Sequence, residues 1–116
     1  MANANYWQRG EALDFPNAGE SIIEANTIII FGDRVGIAGT DIAPGEVGSV
    51  HVEGVFEFPK MDITAIDMGA SIFWDEATSS ATKVAGTSPS DARLKIGFAA
   101  APATADDTTV LVKINA

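Results

Sequence analysis

The chain has 116 residues, enough for one compact domain that buries about two-thirds of its unfolded surface, and it carries sixteen acidic residues against seven basic ones. The formal charge of −9 argues against nucleic acid or an anionic bilayer as a direct partner. The absence of cysteine excludes disulfides and thiolate metal ligands. The opening M-A-N-A-N-Y-W-Q-R-G lacks the charged and then apolar regions of a secretory signal, so synthesis in a cell's cytoplasm is expected, with release only when something else carries the protein out. Apolar runs such as Ile28 to Phe31 are far below the roughly 20 residues that cross a bilayer, and no membrane partner is expected.

Residues 1–11 read as an extended N-terminal arm on a single β domain that spans 1–116, because nothing periodic precedes Leu13 and Phe15. Tyr6 and Trp7 in that arm either pin it to its own domain or anchor it on a neighbouring subunit or larger surface. Strand-like segments follow at Ala12–Phe15, Thr27–Phe31, Arg34–Ala38, Val47–Phe58, Ser71–Trp74, Thr82–Ala85, Leu94–Ala99 and Thr108–Ile114. Turn-rich separators lie between them, including Gly19-Glu20, Gly32-Asp33, Pro44-Gly45 and Ser88-Pro89-Ser90.

Each segment carries its own pattern. Thr27–Phe31 has no polar alternation and predicts a strand covered on both faces. Gly32-Asp33 then predicts a two-residue hairpin turn to Arg34–Ala38. Within Val50–Lys60, Val50, Val52, Phe56 and Phe58 fall on one side of a continuous strand, and His51, Glu53 and Glu57 fall on the other. Leu94, Ile96 and Phe98 form one inward face, and Val110, Val112 and Ile114 another. Helical signals are weak. Asp62–Met68 allows one turn capped by Asp62, Ser21-Ile22-Ile23-Glu24 is an accidental capping-box spacing before a β-branched run, and Ala99–Asp107, broken by Pro102, predicts a mobile loop. The fold class is therefore all-β, a compact small β-sandwich or β-barrel with little helix. Such a small sheet protein has edges to protect, which makes packing against identical copies a reasonable expectation.

A search for chemistry finds little. Neither G-x-G-x-x-G nor G-x-x-x-x-G-K-[ST] occurs, so a phosphate-binding loop is not expected. His51 is the only histidine, too few for a His-rich zinc site. The face shared by His51, Glu53 and Glu57 reads as a solvated strand face, since alternation alone would produce it. Asp106-Asp107 and Asp75-Glu76 lack the spacing of a calcium loop, and the serines include no G-x-S-x-G elbow. No catalytic, cofactor or metal-binding residue is assigned.

Six segments taken together carry a resemblance: Y-W-Q-R-G-E-A-L-D-F from Tyr6, A-G-T-D-I-A-P-G-E-V from Ala38, G-V-F-E-F-P-K from Gly54, I-F-W-D from Ile72, I-G-F-A from Ile96 and the terminal V-L-V-K-I-N. In this order the chain resembles small phage and prophage proteins regarded as capsid cement or decoration proteins. The resemblance implies an all-β, non-enzymatic protein on the outer capsid surface of a virion. It further implies homotrimers at three-fold or quasi-three-fold positions that bind the major capsid protein and stiffen the shell against packaged DNA. The family supplies no contact motif that transfers by residue.

Candidate contacts with capsid or subunit come instead from residue type. Tyr6, Trp7 and Arg9 are candidates because aromatics and arginine are enriched at interface hot spots. Phe73 joins them because alternation in Ile72-Phe73-Trp74-Asp75 places Trp74 in the core with Ile72 and leaves Phe73 on the opposite face. A carbohydrate- or host-surface-binding module, stacking Trp7 or Trp74 on a sugar, is the alternative.

Overall fold

The computed structural model describes residues 2–86 and 92–116; the turn expected at Ser88-Pro89-Ser90 lies outside them. Two antiparallel sheets are built from nine strands among the described residues, with no helix. The first sheet has the order β1-β4-β3-β2, from β1 (Ala12–Pro16), β4 (Val47–His51), β3 (Arg34–Ala38) and β2 (Ile28–Phe31). The second has the order β5-β9-β8-β6-β7, from β5 (Val55–Pro59), β9 (Thr109–Ile114), β8 (Leu94–Ala99), β6 (Ser71–Asp75) and β7 (Ser80–Thr82). A parallel bridge between Lys60 and Ala81 brings the two end strands of the second sheet side by side, so that sheet curls toward a small barrel.

The expected hairpin forms: β2 and β3 pair from Phe31↔Arg34 outward across Gly32-Asp33. Alternation is cleanest in β9, where Val110, Val112 and Ile114 are buried and Thr109, Leu111 and Lys113 are exposed. These side chains meet Phe58, Ile72, Ile96, Ala81 and Ala99 inside the second sheet, and Val35 and Ile37 of β3 join the same core from the first sheet. Phe58 is wholly buried, and a phenylalanine at such a site stabilises by about 1.5–3 kcal/mol through burial alone.

Several expectations are corrected. Val47–Phe58 is not one strand. The chain leaves the first sheet after His51 and enters the second at Val55, and Gly54 at φ 125° supplies the bend. Only glycine takes that conformation without a Cβ penalty. The strand covered on both faces is β3, whose Val35, Gly36, Ile37 and Ala38 are all buried, whereas β2 lies at the edge with Ile30 exposed. An uninterrupted apolar run cannot by itself tell a central strand from an edge. The segment expected as Thr82–Ala85 pairs as Ser80–Thr82 instead.

Alternation in β8 also breaks. Leu94 and Phe98 are only half-buried while Ile96, Gly97 and Ala99 are buried, because the β6–β8 register slips between Ile72 and Phe73. Gly97 sits at that bulge with φ 154°, and a Cβ there would collide with the Lys113 carbonyl.

Asp62–Met68 forms no helix. Ile66 is buried and exchanges backbone hydrogen bonds with Ala103 at 2.9 and 2.8 Å. Ala99–Asp107 is a loop without helix, as expected, and the same bridge anchors it: Ala103 is buried, and Asp107 accepts a hydrogen bond from the Thr104 amide at 2.7 Å. The spacing at Ser21–Glu24 caps nothing helical; Ile23 bridges Ile42.

Candidate functional site

Three of the four proposed contact residues lie in the segment before β1. Tyr6 is 84% exposed and Trp7 89% exposed, so neither aromatic pins the segment to its own body. Arg9 is exposed as well. The root of the segment is held only near Gly10 and Glu11: Gly10 lines a hollow with Leu13, Phe31 and Arg34, and the Glu11 carbonyl accepts the Val52 amide at 2.9 Å.

Phe73 stands apart, on β6 between Thr82 of β7 and Lys95 of β8. It is half-buried. Trp74 packs against the core as expected, edge-on to Phe58 at 6.2 Å between centroids, and its Nε1 donates to Glu76 Oε2 at 3.0 Å. The polar end of this ring is thus satisfied locally.

His51, Glu53 and Glu57 do not share a face, since the bend at Gly54 divides them between two sheets. His51 ends β4 and lies against the Phe56 ring, 6.0 Å between centroids. Glu57 on β5 accepts from Thr109 Oγ1 at 3.4 Å. Among the described residues no group of three or more His, Asp or Glu side chains converges. The acidic pairs are engaged by their own loops: Asp75 faces Arg93 at 3.5 Å and accepts from the Ala77 amide.

Sequence reasoning missed two features. The first is the loop after β5, where Met61, Ile63 and Met68 are 65%, 83% and 69% exposed. The loop is entered at Lys60, whose side chain is fully buried. Its Nζ donates to the carbonyls of Asp62 at 2.8 Å, Asp107 at 3.4 Å and Ala105 at 3.5 Å, and faces the Asp62 carboxylate at 3.4 Å. Buried lysine persists only where its charge is paired and its donors are used. Burial would raise the Asp62 pKa, but hydrogen bonds from Thr82 Oγ1 and from the Thr64 amide and hydroxyl, with the Lys60 charge, outweigh it and hold the carboxyl below its ordinary range.

The second feature is a pair of asparagines that act as backbone substitutes. Asn115, in the left-handed region at φ 58°, donates from Nδ2 to the carbonyls of Val35 and Val52, both at 2.8 Å, and accepts the Val35 amide at 3.1 Å. It ties β9 to both β3 and the crossing at Val52. Asn17, buried after β1, likewise donates to the carbonyls of Ser21 and Ile42 and accepts the Gly19 amide. Neither stands out in sequence, because an asparagine near a turn is ordinary.

The molecule therefore presents exposed aromatics and an apolar loop on a braced β scaffold, with no assembled acid–base or metal cluster among the described residues. Comparison with curated proteins and with solved structures finds no match. Residues 7–114 match the family described as phage cement protein. That match spans nearly the whole sequence and supports a structural, capsid-cementing role; the chain belongs to the phage cement protein family.

Proposed function

We propose that this protein binds the outer surface of an icosahedral phage head as a homotrimer, contacts the major capsid protein, and stabilises the shell without catalysis. The family match over residues 7–114 carries this reading. Tyr6, Trp7 and Arg9 supply the leading contacts with capsid or neighbouring subunit, because large aromatics left in water lose nothing of their own fold when a partner buries them. Phe73 is a further contact, on the second sheet. The expected site of action is the virion exterior, reached after synthesis in the host cytoplasm.

The energetics suit weak individual contacts. A trimer converts second and third contacts into intramolecular events, raising avidity by about 10² to 10⁴ over one contact. Binding only the assembled shell then stabilises it by mass action. Purified protein added to capsids that lack it should bind saturably and raise their disruption temperature, and Trp7→Ala should weaken binding by about tenfold or more. Absence of saturable binding, seen by sedimentation with the capsids, would reject the reading.

The 89% exposure of Trp7 also suits a carbohydrate- or host-surface-binding module. Trp74 fits that role less well, since its ring packs on Phe58 and its N–H is engaged by Glu76. A glycan array with a Trp7→Ala control separates the two readings.

A further inference from the structure

The four-stranded sheet ends in two edges that are built differently. Around β1, the hydrogen bonds of Glu11 with Val52 and of Asn17 with Glu46 place the odd-numbered backbone groups against β4. The backbones of Ala12, Asp14 and Pro16 therefore face outward, and this edge carries a charge and a residue with no donor. Around β2, pairing of Phe31 with Arg34 beside the turn, and of the Ala38 amide with the Thr27 carbonyl at 3.0 Å, places Ile28 and Ile30 with their N–H and C=O groups outward. The sequence of β2, Ile-Ile-Ile-Phe, has no charge, proline or bulge. One edge is guarded and the other, among the described residues, is an open template.

Beside that open edge a hollow of about 320 Å³ is lined by Ile30, Trp74, Leu94, Asp75, Glu76 and Arg93 among others. Its lining is partly apolar, from Ile30, Trp74 and Leu94, and partly charged: Arg93 already faces Asp75 at 3.5 Å, and Glu76 accepts from Trp74 Nε1 through Oε2, so its second oxygen is the one open to a further cation. The segment before β1 has the complementary character: residues 2–10 include two uncovered aromatics and one charged side chain, Arg9. In an extended strand Trp7 and Arg9 share a face, two residues and about 6.6 Å apart.

We propose that the outer edge of β2 receives the N-terminal segment of a second copy as an added strand, with Trp7 in the hollow over Ile30 and Trp74 and Arg9 against Glu76. The inference rests on the oligomeric reading above and specifies its interface. Because the donor segment and the acceptor edge are different surfaces, each copy gives an arm and takes one, and a head-to-tail series of such contacts forms a ring where the rotation between copies closes. Main-chain pairing supplies affinity, and the hollow supplies the choice of side chain.

The test uses the full chain without capsids. Sedimentation over a range of concentrations is combined with amide hydrogen exchange at Ile28 and Ile30. Association should slow exchange at both amides and shift Trp emission to the blue. Trp7→Ala and Ile30→Pro should each weaken association by about tenfold or more. Proline at 30 removes only an outward N–H, so the β2–β3 ladder should survive, as thermal unfolding of the variant will report. The proposal is overturned if the Ile28 and Ile30 amides exchange freely in the wild-type oligomer, if Ile30→Pro folds and associates like wild type, or if wild type stays monomeric throughout. It is equally overturned if the two amides become protected only when capsids are added, which would make the occupant a capsid strand. Saturable capsid binding by the same preparation is scored separately, so failure of the arm exchange is distinguishable from failure of the cement role.

Discussion

Replacing Asn115 tests whether one side chain couples the two sheets. Its amide makes three hydrogen bonds, donating to the carbonyls of Val35 and Val52 and accepting the Val35 amide, across 80 and 63 residues of sequence. A net contribution of about 0.5–1.5 kcal/mol per bond gives about 2–4 kcal/mol for the set. Asn115→Gly is the cleanest perturbation, because glycine keeps the φ of 58° without strain. For a chain of this length the loss corresponds to a midpoint lower by roughly 8–16 °C. Asn115→Asp retains the acceptor for the Val35 amide but sets a carboxylate oxygen against two carbonyl oxygens. It should be at least as unstable as Asn115→Gly at neutral pH and recover part of the loss on acidification, when the protonated carboxyl can donate once. Urea unfolding followed by Trp fluorescence measures all three proteins. A change below about 0.5 kcal/mol for Asn115→Gly, or an Asp variant as stable as wild type at neutral pH, would refute the coupling role.

Three further outcomes follow from the same structure. Gly97→Ala should destabilise by about 2–4 kcal/mol in urea, since it combines a left-handed backbone with a collision at the Lys113 carbonyl. Lys60→Met keeps the apolar stem but leaves three carbonyls without their donor. It should cost about 1–3 kcal/mol and speed amide exchange at Ile66 and Ala103, read by mass spectrometry. Asp62 has its pKa lowered in the folded protein from the ordinary 3.8, so its stabilisation is present above pH 3.8 and disappears as the pH falls through the lower folded value. Wild type minus Asp62→Asn in unfolding free energy should therefore be constant near neutrality and shrink only on strong acidification; a difference that grows instead would reverse the assignment.

Much of this molecule is legible in local pattern. Strands β3 and β8 keep the bounds expected from the turn residues around them, the Gly32-Asp33 hairpin closes as its spacing predicts, and Val110, Val112 and Ile114 face inward. The segments from Tyr6 to Asn115 also carry the family resemblance. Side-chain alternation with period two is a property of one strand, so sequence alone determines it.

What the tertiary structure decided depends on partners far along the chain. Gly54 interrupts the apolar face of this segment, but Val50 and Phe58 keep the same alternation whether or not a sheet change intervenes, so nothing local says that the chain crosses there. That break separated His51 from Glu57 and dissolved the apparent polar face. Three isoleucines in a row become an edge in β2 because, among the described residues, β3 alone pairs with them. Lys60 is buried because carbonyls more than forty residues away accept its protons, and Asn115 becomes a cross-sheet tie only when Val35 and Val52 arrive beside it. Sequence determined which residues alternate and where the chain turns; long-range pairing decided which edges stay open, because an edge is defined by the strand that is absent from it.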